Sequence, residues 1–547
     1  MVKTAEGVIR YHERTKHRPG RYAKSPGFLD WENQPQPFRC FKGSPAIKLP
    51  FLKKDPAGDF SSLFSRKGCQ TRPFNLENIG AFLELSLGLS AWKSYMGESW
   101  PLRMNPSSGN LHAEECYLAL PPLTDDGSMG GIFHYNPFYH HLEKRAESGE
   151  DLWDEIKKTL GTNGFLAGLA SVFWREEWKY GERAFRYSNL DLGHGAACMS
   201  FSAALLGWKL TSLSALSDDG FEKIFGFDRT RWVEGERDFP GPLFLVHPKE
   251  KKPESKILSA DIIERFKEIT FTGEPEPLSK DHVDWPAVKE VSMLTAKPST
   301  QPLPCPRPCE DAQNIKEETD ASGAEIIRRR RSGQAYDGAT SVPKEDLFAI
   351  LDGTLPRSGF APFDMCLGET AVHLVIFVHR VAGLKPGLYI LVRDNKGIER
   401  LKQDLHGDFL WSGAGEKKIP LYLLKDGLFA GEARFICCNQ DIAGDGAVCL
   451  AMIARFREVI EKAPWLYRHL HWEAGVTGQA LYLGAEARGL RATGIGCFHD
   501  DIFHEFVGLN KNTFQSLYHF TIGTPVEDRR ITTLAAYHHL KESGLTR

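Results

Sequence analysis

The 547-residue chain has no apolar run long enough to span a bilayer; one of the longest, 371–378, is interrupted by His373. That absence excludes a membrane protein built on spanning helices. The opening segment, MVKTAEGVIRYHERTK, has neither the apolar core of a secretory signal nor the amphipathic Arg/Ser pattern of a transit peptide. Net charge is almost lacking too: a formal −3 gives no global electrostatic case for nucleic acid or a membrane surface. Eleven cysteines at irregular spacing read as reduced thiols, and the expected compartment is the cytoplasm. Ordered sets of metal ligands are missing. His140-His141, His469/His471 and His538-His539 come without acids or cysteines at ligand spacing, and Cys305-Pro-Arg-Pro-Cys309 has no second Cys/His pair, so no metal site is expected. A convincing dinucleotide-binding fingerprint is absent as well. What remains is the composition of an ordinary folded protein, 41% apolar and 25% charged, with room for two large domains.

What the chain does contain is itself twice. Phe185-Arg186-Tyr187 through Asp191-Leu192-Gly193 aligns with Tyr467-Arg468-His469 through Glu473-Ala474-Gly475, and each Ala/Leu-rich helical run then ends at a glycine, Gly207 or Gly489. Upstream, Gly131-Ile132-Phe133 answers Gly387-Leu388-Tyr389, and Leu142-Glu143-Lys144 answers Ile398-Glu399-Arg400. Repeats of ~250 residues are too long for a solenoid and indicate two fused copies of one domain.

The organisation follows from the repeat. Residues 1–70 are an N-terminal extension whose basic first part (Arg10 to Lys24) reads as a solvated arm. The first repeat occupies 71–246, with a helix starting at Asn75-Leu76-Glu77-Asn78 and a doubly covered strand at Cys116–Leu120. A Pro- and Glu-rich linker with one helical stretch near 262–269 covers 247–322, and the second repeat covers 323–547. In the second repeat a helix is expected after Ser341, strands at 371–379, 387–392 and 433–438, and long helices at 443–461 and 470–488. The fold class is α+β.

Several segments carry chemistry. Arg328-Arg329-Arg330-Arg331-Ser332 suits a phosphate grip by forked hydrogen bonds. Gly489 fits the left-handed stop of a helix, and Gly494-Ile495-Gly496 lets backbone N–H groups approach a flat ligand. Arg529-Arg530 is a further candidate phosphate clamp. In the first repeat, Pro106-Ser107-Ser108-Gly109-Asn110 is a turn rich in small donors and acceptors.

Taken together, these segments resemble the nitroreductase superfamily, most closely its SagB/ThcOx-like dehydrogenase branch in the form with two tandem domains. The resemblance rests on the arginine run, the Pro-Ser-Ser-Gly-Asn-Leu-His turn, Ala492–Phe498, and Trp178 to Tyr187, which looks like the Lys-Tyr element of thiazoline/oxazoline oxidases. It implies two fused α+β domains, each a mostly antiparallel sheet flanked by helices, forming a pseudo-dimer that binds FMN between its halves. The second repeat keeps the clamp (Arg328, Arg329, Arg331, Ser332, with Arg529 or Arg530) and the glycine loop (Gly494, Ile495, Gly496). The first keeps the turn (Pro106, Ser107, Ser108, Asn110) and Lys179-Tyr180, candidates for proton transfer to or from substrate.

The counterparts are degraded. Ala361-Pro362-Phe363-Asp364 lacks the hydroxyls, Ser65-Arg66-Lys67-Gly68 stands where the first clamp should be, and Trp208-Lys209-Leu210-Thr211-Ser212 lacks the Gly-x-Gly. One composite FMN site per chain is therefore expected. The implied activity is an FMN-dependent oxidoreductase acting by ping-pong hydride transfer on a small conjugated or heterocyclic substrate, with NAD(P)H a candidate donor. The alternatives are an oxygen-using azoline-type dehydrogenase and a non-catalytic flavin- or ligand-binding pseudo-dimer. No nucleic-acid or membrane partner is expected, and the fused chain suffices as a monomer, with a homodimer open.

Overall fold

The computed structural model describes residues 2–123, 130–309, 319, 321–414, 419–509 and 512–542. Three helices organise it: α1 (Val2–Arg14), α2 (Ala184–Leu205) and α3 (Leu466–Glu486). Every residue of α2 is buried, as are nearly all of α3, because the two helices cross at the centre of the molecule. They can approach closely because the crossing point is glycine on both sides: a Cβ on Gly475 would overlap the Leu190 carbonyl and lie 2.9 Å from the Gly193 Cα. These are matching positions of the sequence repeat, so the internal symmetry and the helix contact coincide.

A seven-stranded sheet flanks each helix, and all pairings in both sheets are antiparallel. The first runs Ala46–Lys48, His141–Ala146, Gly131–Asn136, Glu114–Leu120, Phe165–Val172, Asp238–Pro248, Trp208–Ser212. The second runs Ser412–Gly413, Leu421–Asp426, Gly387–Leu391, Val372–Val378, Val448–Arg455, Phe514–Gly523, Arg491–Ile495. The orders match place for place, with Gly131–Asn136 and Gly387–Leu391 third in each. A three-stranded sheet joins the halves, where Thr532–Leu534 pairs with Leu89–Tyr95 and that strand with Glu98–Arg103. The architecture is α+β, two sheet-rich halves with helices on their faces.

Local expectations fare unevenly. Asn75 caps the helix Leu76–Glu84 by accepting from the Asn78 N–H, Glu114–Leu120 is a fully buried strand, and Gly207 and Gly489 are both left-handed. Two expectations in the second half are reversed. Residues 433–438 fall mainly in the helix Ala430–Ile436, which buries only Ala433 and Ile436 at helical spacing. Residues 443–461 form not one helix but the inner strand Val448–Arg455 between two short helices, Ile442–Asp445 and Arg457–Lys462. A strand covered on both faces reads as an unbroken apolar run, which periodicity does not separate from a buried helix. The 142–144/398–400 echo also fails: the first lies on a strand, the second in the helix Ile398–Asp404.

The N-terminal segment is not a solvated arm. α1 buries Val8, Tyr11 and His12, its Arg14 pairs with Glu182, and just beyond it Lys16 is 3.1 Å from Asp501. The described residues of the linker pack on the cores of the molecule: Ile262 and Phe266 join one, Trp285, Val288 and Val291 another. Nor are all cysteines reduced, because Cys305 is disulfide-bonded to Cys366 rather than to Cys309. A partner 61 residues away leaves no trace in local spacing. Among the described residues, no helix is long and apolar enough to cross a membrane.

Candidate functional site

A cavity of about 1200 Å³ opens between the halves, and most of the residues singled out from the sequence line it. The arginine run enters from the helix Gly323–Arg329, whose N-cap Ser322 accepts from the Glu325 N–H. Its arginines then divide by environment. Arg328 pairs with Asp55 at 2.5 Å, and Arg329 sits 3.2 Å from Glu325 and 3.5 Å from Glu486. Arg330 is buried; it donates to the carbonyls of Arg103 and Met104 in the first half and lies over the Tyr482 ring. Arg331 donates to the carbonyls of Ser90, Arg328 and Arg330, and no carboxylate pairs with it among the described residues. Burial, with Arg330 and Arg491 adding their charge, pushes Arg331 down to about 10.

The glycine segment ends the strand Arg491–Ile495 and is locked to the clamp. The Tyr482 hydroxyl lies 2.9 Å from Ser332 Oγ and accepts from the Gly494 N–H at 3.1 Å, while Thr493 Oγ1 donates to the Gly333 carbonyl. A side chain at 494 would overlap Tyr518 Oη, and one at 496 would overlap the Tyr187 ring, so aromatic groups set the inner end of the cavity directly against this backbone. His194 of α2 supports Tyr518 at 3.2 Å.

From the first half come Pro106, Ser107, Ser108 and Asn110. Both serine hydroxyls donate to Asp191 on α2, at 2.8 and 2.9 Å, and the Ser108 N–H does so as well. The turn is thus aimed by a helix carboxylate that the sequence reading used only as a repeat marker. Burial, and then Glu114, push the Asp191 carboxyl well above its usual range. Tyr180 lines the cavity beside this turn, with burial raising its hydroxyl. Lys179 lies next to it, its Nζ 5.4 Å from the Tyr180 ring centre; a Cβ on Gly109 would be 3.1 Å from that nitrogen. Arg529 faces the cavity, whereas the neighbouring Arg530 points away, exposed and paired with Asp528 at 2.7 Å. Arg491, Tyr482 and Tyr518 were missed, and Tyr187 entered only as a repeat marker and as the end of the Trp178–Tyr187 element. Arg491 lies between Gly489 and the glycine segment, but Tyr482 and Tyr518 carry no signal before the chain folds.

The corresponding positions of the other pairing are filled by the chain itself. Arg66 binds the buried carboxylate of Asp364 at 2.8 Å, and Lys209 lies 3.2 Å from the same oxygen. Burial alone would raise the Asp364 carboxyl, but Arg66 and Lys209 hold it below the usual range. By the repeat alignment Lys209 answers Arg491 and Asp364 answers Ser108. Asp364 thus supplies the anion for Arg66 and Lys209, whereas Arg491 is paired with Glu486 and Arg331 has no paired carboxylate among the described residues.

Residues 327–524 match the Nitroreductase family model. A structure from Anabaena variabilis described as a nitroreductase superimposes with a TM-score of 0.66 at 22% identity, covering 95% of this chain and 99% of that one. A second such structure, from Ralstonia eutropha, gives 0.28 at 16%, covering 41% of this chain and 96% of that one. The microcin synthetase McbBCD complex of E. coli gives 0.25 at 16%, covering 45% and 93%. Comparison with curated proteins finds no match. The family model thus covers the second half of the chain, and the chain as a whole has the fold of the Anabaena nitroreductase structure.

Proposed function

We propose that the chain is an FMN-dependent oxidoreductase of the tandem, SagB/ThcOx-like kind, acting on a small conjugated or heterocyclic substrate by ping-pong hydride transfer. The two halves, 71–246 and 323–547, would descend from one duplicated domain and share one composite flavin site. The observation that carries this reading is the charge pattern of the cavity: Arg331 on its wall has no carboxylate paired with it among the described residues, while Arg491 is paired with Glu486 and Arg66 and Lys209 share Asp364. A flavin phosphate supplies the missing charge, and the aromatic inner end suits a flat ring.

When bound, the flavin supplies two-electron redox chemistry; the protein's contribution is position, electrostatics and proton control. Arg331 and Arg529 would hold the phosphate, with Ser332 fixed by Tyr482; Arg328, Arg329 and Arg491 are largely neutralised by their carboxylates. Backbone N–H groups of the 494–496 segment would face the ring edge, where preorganised dipoles stabilise charge. Asp191 orients the Ser107-Ser108 turn from the other side, and Lys179 and Tyr180 would move a proton at the substrate.

The test is FMN affinity. Losing a charge-assisted contact from Arg331→Ala is expected to weaken binding about 10–150-fold. The double variant R66A/D364A, which removes the ion pair of the other half-site, is expected to leave affinity unchanged. Equal losses in the two would refute the one-site asymmetry.

A further inference from the structure

Beside the glycine segment lies a feature that the flavin reading does not use. Cys497, immediately after Gly496, lines the cavity, and its sulfur is 2.9 Å from that of Cys438. Both are free thiols and both are half-buried. Closing a disulfide from this separation takes an approach of ~0.9 Å. Two further observations show that the pair is built. The Gln440 side-chain amide donates to the Cys497 carbonyl at 3.0 Å and to the Cys437 carbonyl at 2.9 Å, clamping the two segments together. Cys438 and Asn439 are consecutive non-glycine residues with positive φ, 55° and 60°, a conformation that turns the Cys438 side chain out of the preceding helix.

The two sulfurs are not equivalent. Hydrogen bonding with Cys438, and then Arg183, hold the Cys497 thiol below its usual range, while Cys438 is raised. Arg183 is fixed by donating to the Gly496 carbonyl at 2.9 Å and by pairing with Asp500. Cys438 is on the outer side, next to exposed Asn439 and in contact with exposed Tyr22. The other close thiols, Cys437 and Cys449, are 3.9 Å apart, fully buried, and do not reach the cavity.

We propose that Cys438 and Cys497 are a redox-active dithiol/disulfide pair that exchanges an electron pair with the flavin, making dithiol or disulfide compounds a class of redox partner for this protein. The proposal rests on the flavin reading above. In the oxidising direction, the two S–H bonds break and an S–S bond forms. Two electrons and one proton pass to the oxidised flavin, and the second proton leaves to solvent. An external dithiol then restores the pair by thiol–disulfide exchange, with Cys438 the sulfur open to attack, and is itself converted to a disulfide.

The experiment is an anaerobic electron count on the FMN-loaded protein after mild oxidation with diamide, with photoreduction as the electron source. Differential alkylation and peptide mapping follow the Cys438–Cys497 bond residue by residue. Wild type is expected to take up about four electrons per flavin and Cys438→Ser about two, since each dithiol/disulfide couple carries two. The Cys305–Cys366 bond is common to both proteins and drops out of the difference. Mapping is expected to show the Cys438–Cys497 bond opening as the flavin bleaches, and staying closed in apoprotein under the same light. Equal uptake in both proteins, or no mapped bond after diamide, overturns the proposal while leaving the flavin site intact. Protein that retains no FMN before any titration overturns both.

Discussion

The glycine crossing of α2 and α3 gives a sharp test of the close helix contact at the centre of the molecule. Gly193, Gly195 and Gly475 all lie mid-helix, where Gly→Ala by itself stabilises by about 1 kcal/mol. Their surroundings differ. A Cβ at 195 meets only Leu169 and Leu87 side-chain carbons, at 3.4 and 3.6 Å, ordinary packing distances. A Cβ at 475 overlaps the Leu190 carbonyl oxygen and sits 2.9 Å from the Gly193 Cα; one at 193 overlaps the Trp472 carbonyl oxygen. Carbon contacts settle near 3.5–4.0 Å, so the helices must part by roughly 0.6 Å or more. Because the opposing atoms are backbone, no rotamer change relieves the clash. Overpacking of this kind costs ~3 kcal/mol, and setting the helix gain against it leaves Gly475→Ala destabilised by about 2 kcal/mol. At roughly 1 °C per kcal/mol for a chain of this length, the thermal midpoint is expected to fall by about 2 °C. Gly195→Ala is expected to leave it unchanged or raise it. Calorimetry on the three alanine variants measures this directly, and a Gly475→Ala midpoint equal to that of Gly195→Ala would refute the close crossing. The double variant at 193 and 475 should be non-additive, since the two share one contact.

Other predictions concern charge and proton chemistry. Asp364→Ala strands two buried or half-buried cations and is expected to cost about 3–5 kcal/mol; added phosphate should recover more of the lost thermal midpoint in this variant than it adds to wild type, and an unchanged midpoint would remove the internal-anion reading. Lys179→Ala is expected to slow turnover by about 100-fold or more while FMN content stays the same, whereas an unaltered rate takes Lys179 out of the proton path. His134 is buried between Glu115 and Glu143 at 2.9 and 2.8 Å; burial alone would lower it, but the two carboxylates raise it to about 9. Its folded value lies above its free value, so its stabilisation is complete below about pH 6.5 and lost as pH rises towards 9. Urea midpoints of wild type should therefore fall across that window relative to His134→Gln, and parallel profiles would contradict the assignment.

Residues in this chain announce themselves when their role is local. Asn75 caps a helix, Gly489 stops one, and the Glu114–Leu120 run is a doubly covered strand, each set by the chemistry of a few neighbouring residues. Where burial rather than neighbours decides, the sequence misleads. Val448–Arg455 is a strand because it lies between two other strands, and its apolar run would fit a buried helix equally well. The basic N-terminal segment looked solvated, yet Lys16 and the backbone of His17 are taken up by Asp501 and Asp500, almost five hundred residues on.

The candidate site divides in the same way. The arginine run, the glycine segment and the serine turn are contiguous stretches whose composition shows what they can bind, and they could be picked out one by one. That they face a single cavity, that Arg330 is spent on joining the halves, and that Arg331 rather than Arg328 or Arg329 lacks an anion depend on which carboxylates folding brings near. The same holds for Asp191 behind the serines, Asp364 between Arg66 and Lys209, and Cys438 against Cys497. The sequence by itself determined the α+β class and the local caps and stops, because periodicity and capping are properties of adjacent residues. Only the tertiary structure decided which charges are paired, which thiols meet and which half-site is filled, because charge pairing and sulfur contact are set by distances that the fold creates between residues far apart in the chain.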